Sequence, residues 1–226
     1  KVAAVEYHVW NSQGMDTTET NNRASAYGVS GIPDMWIDKV ENIHGRAAPT
    51  VQGCYNAIKA KLDPRLAIPA IISIESSGTF GASTIDIDAT FTAVDTVTQS
   101  NLNAVFIVYE NGVSGYELVV RDMETQAISS DGFPHVLNKQ FTVQSGWNVN
   151  NMEAVCFVQV GSNGEILQAN NIGYNNIPNT PPVVATGAVS SVSFDEATPY
   201  AGLDLTSMFT DDDGDPLTFS VSGDLN

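Results

Sequence analysis

The sequence is poor in basic residues, in cysteine and in long apolar runs, and each shortage excludes a class of protein. Only 9 of the 226 residues are Lys or Arg, against 26 Asp or Glu, which gives a formal net charge of −17. A surface this acidic repels nucleic acid and anionic membranes, so neither is expected as a partner. No apolar run approaches the length of a transmembrane helix. The composition suits an exported protein that stays soluble or collects cations.

The two cysteines, Cys54 and Cys156, are too far apart in the sequence to form a C-x-x-C pair. This chain alone therefore lacks the dithiol that thiol–disulfide exchange requires. Two states stay open: a disulfide between the two cysteines, or two buried free thiols that behave as small apolar side chains, which is the favoured interpretation. The sequence also contains no P-loop, no nucleophile elbow, no zinc-protease motif and no dinucleotide-binding glycine pattern.

The beginning of the chain predicts a strand followed by a helix. A short apolar run with β-branched residues predicts a buried strand within residues 1–10. Asp16 and Glu19 have the spacing of a capping box, which predicts that a helix begins there. Gly28 predicts the end of this helix, because glycine readily adopts the left-handed conformation that follows a helix.

Ile32 and Pro33 follow this helix and precede a short apolar strand, 34–38. Proline cannot donate a hydrogen bond to a neighbouring strand, so Pro33 is expected at the first residue of that strand. An X-Pro bond in a tight turn is where a cis peptide is plausible, and we predict one between Ile32 and Pro33. A structural role in the turn is the favoured interpretation. The alternative is exposed backbone that borders a substrate groove.

A second strand is predicted for residues 40–46 and a second helix for the residues after it. Pro49 fits the first turn of this helix, and Pro64 predicts its end. Apolar residues recur at helical spacing along one face, at Val51, Cys54, Tyr55, Ile58 and Leu62.

The stretch Tyr27–Asp38 resembles the helix, turn, cis-proline and strand of thioredoxin-like domains, and the order of the predicted elements matches the second half of such a domain. The resemblance implies a partial thioredoxin-like domain in residues 1–64. It also implies that the half which normally carries C-x-x-C lies outside this chain. Lys1 is accordingly expected to lie inside a domain.

Residues 65–174 show a different periodicity, because apolar residues alternate with polar ones in strands such as 85–91. Gly161–Gly164 is a hairpin signal. Short strands without intervening helices predict an antiparallel β-sandwich. Beyond the first alternating strands, the predicted strands are Ala104–Glu110, Tyr116–Arg121, His135–Val143, Ala154–Val160 and Glu165–Ala169.

The runs Tyr116–Met123, Val155–Gln159 and Ile166–Ala169 resemble a bacterial outer-membrane protein family. In that family a thioredoxin-like half precedes a β-sandwich half, in the order predicted here. The resemblance covers about residues 1–174. It implies an architecture and an exported location rather than an activity.

Residues 175–182 have the composition of a linker, and residues 183–226 are similar to the opening of a cadherin-like module that the chain cuts short. An acidic cluster in this region predicts a calcium site, because hard divalent cations take several oxygen ligands at close range. It is not an EF-hand loop, since Pro216 stands where glycine is needed. The alternative is a solvated acidic turn. The candidate ligands are Glu196, Asp211, Asp213 and Asp215.

The sequence therefore predicts an α+β, multi-domain protein, with a partial thioredoxin-like domain, an antiparallel β-sandwich and the start of a cadherin-like module. The favoured function is an extracellular, cell-surface or periplasmic scaffold or binding protein without catalysis in this chain, with a protein or cell-surface partner. One alternative is a fragment of a thiol–disulfide oxidoreductase with upstream cysteines. Another is an assembly or filament subunit that self-associates through an open sheet edge. Three tryptophans are expected in cores or interfaces, with a ligand platform as the alternative: Trp10, Trp36 and Trp147.

Overall fold

The first part of the chain forms an α+β unit, and the last part forms a second unit. The structure is a computed structural model, and it describes residues 2–10, 14–173, 183–185, 207–210 and 219. Contacts divide the chain into two compact units, Lys1–Asn176 and Ile177–Asn226. The boundary predicted between residues 64 and 65 stays a prediction, and the linker predicted for 175–182 lies outside the described residues.

Two α-helices, one short 3-10 helix and nine strands are described in the first unit. The α-helices are α1 (Thr18–Tyr27) and α2 (Val51–Leu66), and the 3-10 helix is Val149–Asn151. The strands are β1 (Asp34–Ile37), β2 (Glu41–His44), β3 (Ile72–Phe80), β4 (Thr84–Ala93), β5 (Leu102–Glu110), β6 (Val119–Ile128), β7 (His135–Thr142), β8 (Met152–Val160) and β9 (Ile166–Ile172).

Strands β3 to β9 form two antiparallel sheets that pack against each other. One sheet has the strand order β3-β4-β7 and the other has the order β6-β5-β8-β9. Buried side chains of both sheets form one core, in which the rings of Phe91 and Phe106 meet edge to face, with centroids 6.0 Å apart. The result is a two-layer β-sandwich, and we use "the sandwich" for residues 71–172.

The difference between β4 and β5 shows how burial determines sequence pattern. In β4, Ile85, Ile87, Ala89 and Phe91 are buried, while the residues that alternate with them are more exposed. In β5 nearly every side chain is buried, because the sheet that contains it is covered on both faces. A strand covered on one face alternates, whereas a strand covered on both faces reads as a continuous apolar run.

The prediction of a strand within residues 1–10 is wrong. Among the described residues of this segment, Glu6 forms a single parallel bridge with Val119. The N–H of Glu6 donates to the Leu118 carbonyl at 2.8 Å, and the N–H of Val120 donates to the Glu6 carbonyl at 3.0 Å. The apolar residues of the segment instead pack on the outer surface of the four-stranded sheet. Their burial there accounts for the apolar pattern, although the described residues of the segment form no continuous strand pairing. These residues are Ala3, Val5 and Tyr7.

The predicted strand 116–121 is displaced from β6, which begins at Val119 and continues to Ile128. Three polar residues lie in the second half of β6, at Asp122, Glu124 and Gln126. Because they interrupt the apolar pattern, the sequence does not predict that this half is a strand. The hairpin predicted at Gly161–Gly164 is present, since β8 and β9 pair in antiparallel register on either side of it.

Helix α1 begins one residue later than its predicted cap. Thr17, not Asp16, is the N-cap: its side chain accepts a hydrogen bond from the N–H of Thr20, and the Thr20 hydroxyl accepts one from the N–H of Thr17. The capping box is therefore formed by two threonines. The predicted end is confirmed, because Gly28 adopts φ +72° and closes the helix.

Arg23 of α1 packs against the outer surface of the four-stranded sheet, where it is only 8% exposed. Its guanidinium lies 5.0 Å from the ring centroid of Phe157 and 4.7 Å from that of Tyr27. It donates a hydrogen bond to Gln159 Oε1 at 3.0 Å, and another to the Tyr27 hydroxyl. Burial raises the pKa of Tyr7, the third ring around Arg23, to about 12, although the arginine acts in the opposite direction.

Strands β1 and β2 form a two-stranded antiparallel hairpin that lies between the two helices. Trp36 meets Tyr27 of α1 edge to face, with centroids 6.2 Å apart. Glu41, whose side chain lies on the other face by strand alternation, pairs with Lys61 of α2. We use "the α/β segment" for residues 14–68, which hold the hairpin and both helices.

Helix α2 does not end at Pro64, as predicted, but continues to Leu66. A proline in the last turn removes one hydrogen bond, and the rest of the turn survives that loss here. Pro49 also precedes the helix rather than opening it, because Thr50 is the N-cap and accepts from the N–H of Gly53. Val51 and Tyr55, predicted on the buried face, are 85% and 57% exposed.

In the second unit the described residues form a short antiparallel pair, β10 (Val183–Val184) and β11 (Phe209–Thr210). The ring of Phe209 lies 5.8 Å from that of Phe219.

Candidate binding groove and the Pro33 hairpin

Of the site residues predicted from the sequence, Ile32 and Pro33 lie in the described part of the chain. Ile32 and Pro33 are joined by a cis peptide bond and both are exposed, and the Pro33 carbonyl accepts the N–H of Gly45 at 2.8 Å. The residues predicted to bind calcium, Glu196, Asp211, Asp213 and Asp215, lie outside the described residues. Within the described ranges, no group of three or more His, Cys, Asp or Glu side chains is arranged to hold a metal ion.

Asp34, the residue after Pro33, is the centre of a hydrogen-bonded cluster on the hairpin. Its side chain is 6% exposed and accepts hydrogen bonds from Trp36 Nε1 at 2.9 Å and Asn42 Nδ2 at 2.9 Å, and its Oδ1 lies 3.2 Å from His44 Nδ1. Burial raises the pKa of Asp34, but these three hydrogen bonds together outweigh burial and hold the pKa below its usual value. His44 is mostly exposed, with one ring nitrogen oriented by the carboxylate.

Lys39 packs on the aromatic side chains next to this cluster. Its ammonium nitrogen lies 3.1 Å from the ring centroid of Trp36 and 4.7 Å from that of Tyr27, and it donates to the Tyr27 carbonyl at 3.0 Å. Burial lowers the pKa of Lys39, although the Asp34 carboxylate favours the charged form. Asp34 and Lys39 are thus bound within the segment itself. This makes the hairpin a tightly bonded structural unit.

The two cysteines are not joined by a disulfide. Cys156 lies in the core between the sheets, and burial raises the pKa of its thiol to about 11. Cys54 is half-buried on α2, and its thiol donates to the Ala48 carbonyl at 3.2 Å. A buried thiol with a raised pKa is a poor nucleophile, so Cys156 is a structural residue.

A groove lies at one end of the sandwich, where the β3–β4 turn meets the connection from β7 to β8. It encloses about 570 Å³. Its lining is aromatic, aliphatic and amide-bearing, and contains no charged side chain. The lining consists of Phe80, Ala82 and residues 143–150.

Trp147 links this groove to the core of the sandwich. It packs against the core between the sheets and also lines the groove. Its backbone N–H donates to the Gln144 carbonyl at 3.2 Å, which closes a turn in which Gly146 has φ +91°. Glycine is suited to that turn because it adopts positive φ without a steric penalty. The turn thereby presents one surface of the indole at the end of the sandwich.

A buried ion pair holds the Trp147 loop in place. Glu110, at the end of β5, accepts the N–H of Asn148 at 2.8 Å through Oε1. Its other oxygen lies 3.3 Å from Arg121 Nε, and the two side chains are 7% and 16% exposed. The Arg121 guanidinium in turn lies 5.5 Å from the ring centroid of Trp147. Both residues thus position the loop from beneath, although neither lines the groove.

Trp147 stands out in the sequence, whereas the groove around it does not. A tryptophan within the polar run 144–150 is the sequence feature that indicates a groove at this place. The contributions of Glu110 and Arg121 come from distant strands and follow only from sheet pairing. None of the described helices is long and apolar enough to cross a lipid bilayer.

The fold defines a class: an α+β protein in which an antiparallel β-sandwich follows a segment made of two helices and a hairpin. Among solved structures, the chain is similar to HBP35 of Porphyromonas gingivalis, with a TM-score of 0.53 and 15% sequence identity. The alignment covers 80% of this chain and 62% of that one, so the chain spans less than two thirds of its neighbour's length. At this identity the likeness establishes a shared fold.

A weaker likeness exists to a domain of the outer membrane lipoprotein Omp28, also from Porphyromonas gingivalis. The TM-score is 0.33 at 16% identity, and the alignment covers 47% of this chain and 90% of that domain. Comparison with protein-family models gives no match, and comparison with curated proteins gives none either.

Proposed function

We propose that this chain is part of an exported bacterial surface protein that binds a ligand or partner through the sandwich and catalyses no reaction with its own residues. The observation that carries the proposal is the groove at the loop end of the sandwich, whose Trp147 loop is bonded to the buried pair of Glu110 and Arg121. Rigid sandwiches commonly present binding loops at their ends. The acidic composition, with a net charge of −17, supports the exported location.

The α/β segment is proposed to be the second half of a thioredoxin-like domain. Its order of helix, hairpin and helix supports that assignment, as does the exposure of Ile32 and Pro33 before the hairpin. The last unit is proposed to open a cadherin-like module, with calcium held by the acidic residues named above. Here the support is the sequence pattern alone.

A second candidate function is thiol–disulfide exchange with cysteines supplied from outside this chain. The exposure of Ile32 and Pro33 favours it, because a substrate backbone has access to that turn. Against it stands the local chemistry: the described residues next to Pro33 bond to one another, and the Cys156 thiol is buried in the core. A third candidate, an assembly subunit, is favoured by β1, which pairs only with β2 among the described strands and keeps an open edge.

Two measurements on the full-length protein test the proposal. Intact producing cells are treated with a membrane-impermeant amine label, and the protein is expected to be labelled without cell lysis. Purified protein is then assayed for reduction of a disulfide substrate with dithiothreitol as the electron source, and no rate above dithiothreitol alone is expected. Protection from the label would contradict surface exposure, and robust turnover would establish the oxidoreductase instead.

A further inference from the structure

The chemical character of the groove restricts what it binds. No Asp, Glu, Lys or Arg side chain lines it, so it offers no partner for a charged group. The net charge of −17 disfavours anions near any part of the surface. A cation would enter without a carboxylate to pair with it. The ligand that fits this lining is uncharged.

The polar atoms of the groove retain hydrogen-bonding capacity. Asn148 accepts one bond through Oδ1, from the N–H of Asn150, while its amide nitrogen donates to no residue within the described part of the chain. Gln144 donates to the Thr142 carbonyl at 3.1 Å and keeps its carbonyl oxygen. The Ser145 hydroxyl makes no hydrogen bond to a described residue. Amides and a hydroxyl thus present both donors and acceptors next to an indole.

A neutral saccharide matches this combination. A pyranose ring has a face of C–H groups that packs on an aromatic ring, and its hydroxyls both donate and accept, as amide and hydroxyl side chains do. A volume of about 570 Å³ lies in the range of ligand sites and is open at the surface. A peptide that adds to a sheet needs an unpaired strand edge, whereas this groove lies across the ends of strands.

The contacts that Glu110 and Arg121 make with the Trp147 loop indicate that the indole is preorganised for a ligand. Glu110 fixes the Asn148 backbone and Arg121 stacks near Trp147, so the ring and the amide are positioned before anything binds. Removing two charges from water carries a desolvation cost, and orienting a loop is a use that accounts for a buried pair at this place. A preorganised loop loses less entropy on binding.

We infer that the groove formed by Phe80, Ala82 and residues 143–150 binds neutral oligosaccharides, with Trp147 as the stacking platform and Gln144, Ser145 and Asn148 as hydrogen-bonding groups. Glu110 and Arg121 are positioning residues. This inference rests on the proposed function, because it names the ligand class of that binding site. Binding is non-covalent and needs no cofactor.

The test is a titration of the isotopically labelled chain by NMR, with the indole N–H signals of the three tryptophans as readouts. The probes are cellohexaose, mannohexaose, galactohexaose and chitohexaose, each at concentrations up to the millimolar range. At least one is expected to shift the Trp147 signal in a saturable way and to leave the Trp10 signal in place. A hyaluronan hexasaccharide, which is anionic, is expected to shift neither.

Matched variants separate stacking from general effects on the fold. Trp147→Ala lacks the reporting indole, so its affinity and that of the wild type are compared by isothermal titration calorimetry, and binding is expected to weaken by ~10-fold or more, as removal of a buried aromatic contact does. Trp10→Ala, at an exposed site outside the groove, is expected to leave the affinity unchanged. Arg121→Met is expected to weaken binding and to broaden the Trp147 signal in the free protein, since the ring then loses its support. Circular dichroism confirms that each variant is folded.

Three outcomes overturn the inference. If none of the four neutral probes shifts Trp147, the groove does not bind neutral saccharides. If the hyaluronan probe binds more tightly than all of them, the electrostatic argument is wrong. If Trp147→Ala binds as the wild type does, the platform is elsewhere. In each case the surface-labelling result still decides the proposed function separately.

Discussion

The sandwich and the α/β segment are held together by different interactions. In the sandwich, Phe91, Phe106 and Phe141 are at most 1% exposed and belong to one continuous core. In the α/β segment, neither β1 nor β2 contains a buried residue, and α2 contains none either. Apolar burial therefore dominates the stability of the sandwich, whereas the segment depends on other contacts.

The contacts of the α/β segment are charged, aromatic and directional. Arg23 attaches α1 to the four-stranded sheet through Gln159 and Phe157. Arg65 of α2 pairs with Asp38 of the hairpin at 3.0 Å and with Glu165 beside β9. Such contacts specify one arrangement, but each contributes less than the burial of a large side chain. The two regions should therefore respond differently to mutation and to pH.

The largest expected effect is the removal of a core ring from the sandwich. Phe106→Ala deletes a ring that is 0% exposed and meets Phe91 edge to face, so the free energy of unfolding should fall by about 3–5 kcal/mol. Ile58→Ala, on the half-buried face of α2, should lower it by only about 1 kcal/mol. Urea denaturation monitored by circular dichroism measures both. Equal losses would show that the segment has a core comparable to that of the sandwich.

The next effect tests whether a single arginine attaches α1 to the sandwich. Arg23→Ala removes hydrogen bonds from a charged group to Gln159 and Tyr27 and leaves a buried amide oxygen without its donor, at a cost of about 2–3 kcal/mol. Hydrogen exchange of the α1 amides should accelerate far more than exchange in β5.

Two further arginine substitutions test which property of Arg23 protects the α1 amides from exchange. Arg23→Lys keeps the charge but loses the planar group that contacts three rings, so it should recover only part of the protection. Arg46→Ala, at an exposed residue that donates to the Pro49 carbonyl, serves as the control and should leave α1 exchange unchanged. Full recovery of protection in Arg23→Lys would show that charge alone, without stacking, holds the helix.

The sequence predicts the sandwich better than the α/β segment for a physical reason. Strands such as β4 and β8 can be predicted from alternating or continuous apolar residues, because burial on one or two faces imposes these patterns. Residues 1–10 carry a similar apolar pattern, which predicts a strand. They satisfy it by covering a sheet face, and no local signal distinguishes a covering segment from a strand.

The contacts that define the candidate site cannot be predicted from the sequence, because they depend on the pairing of distant segments. Glu110 and Arg121 meet beneath Trp147 because β5 and β6 pair with a shift between Val108 and Tyr109, and such a register depends on the whole sheet. The burial of Arg23 could not be predicted either, since a basic residue on a helix is normally exposed. Its burial depends on the rings of Tyr7 and Phe157, which arrive from other parts of the chain.

The smallest expected effect concerns the acid sensitivity of the hairpin, which the sandwich core should not share. The pKa of Asp34 is lower in the folded state, so its carboxylate stabilises the fold above the unfolded value of about 3.9, and this contribution is lost as the pH falls through the folded pKa. Asp34→Asn should cost about 1 kcal/mol near neutral pH and progressively less below about pH 4. In Asn42→Ala, which lacks one donor to Asp34, the carboxyl ¹³C titration midpoint of Asp34 should move upward from the wild-type midpoint. A midpoint that stays in place would show that Asn42 does not hold the carboxylate in its charged form.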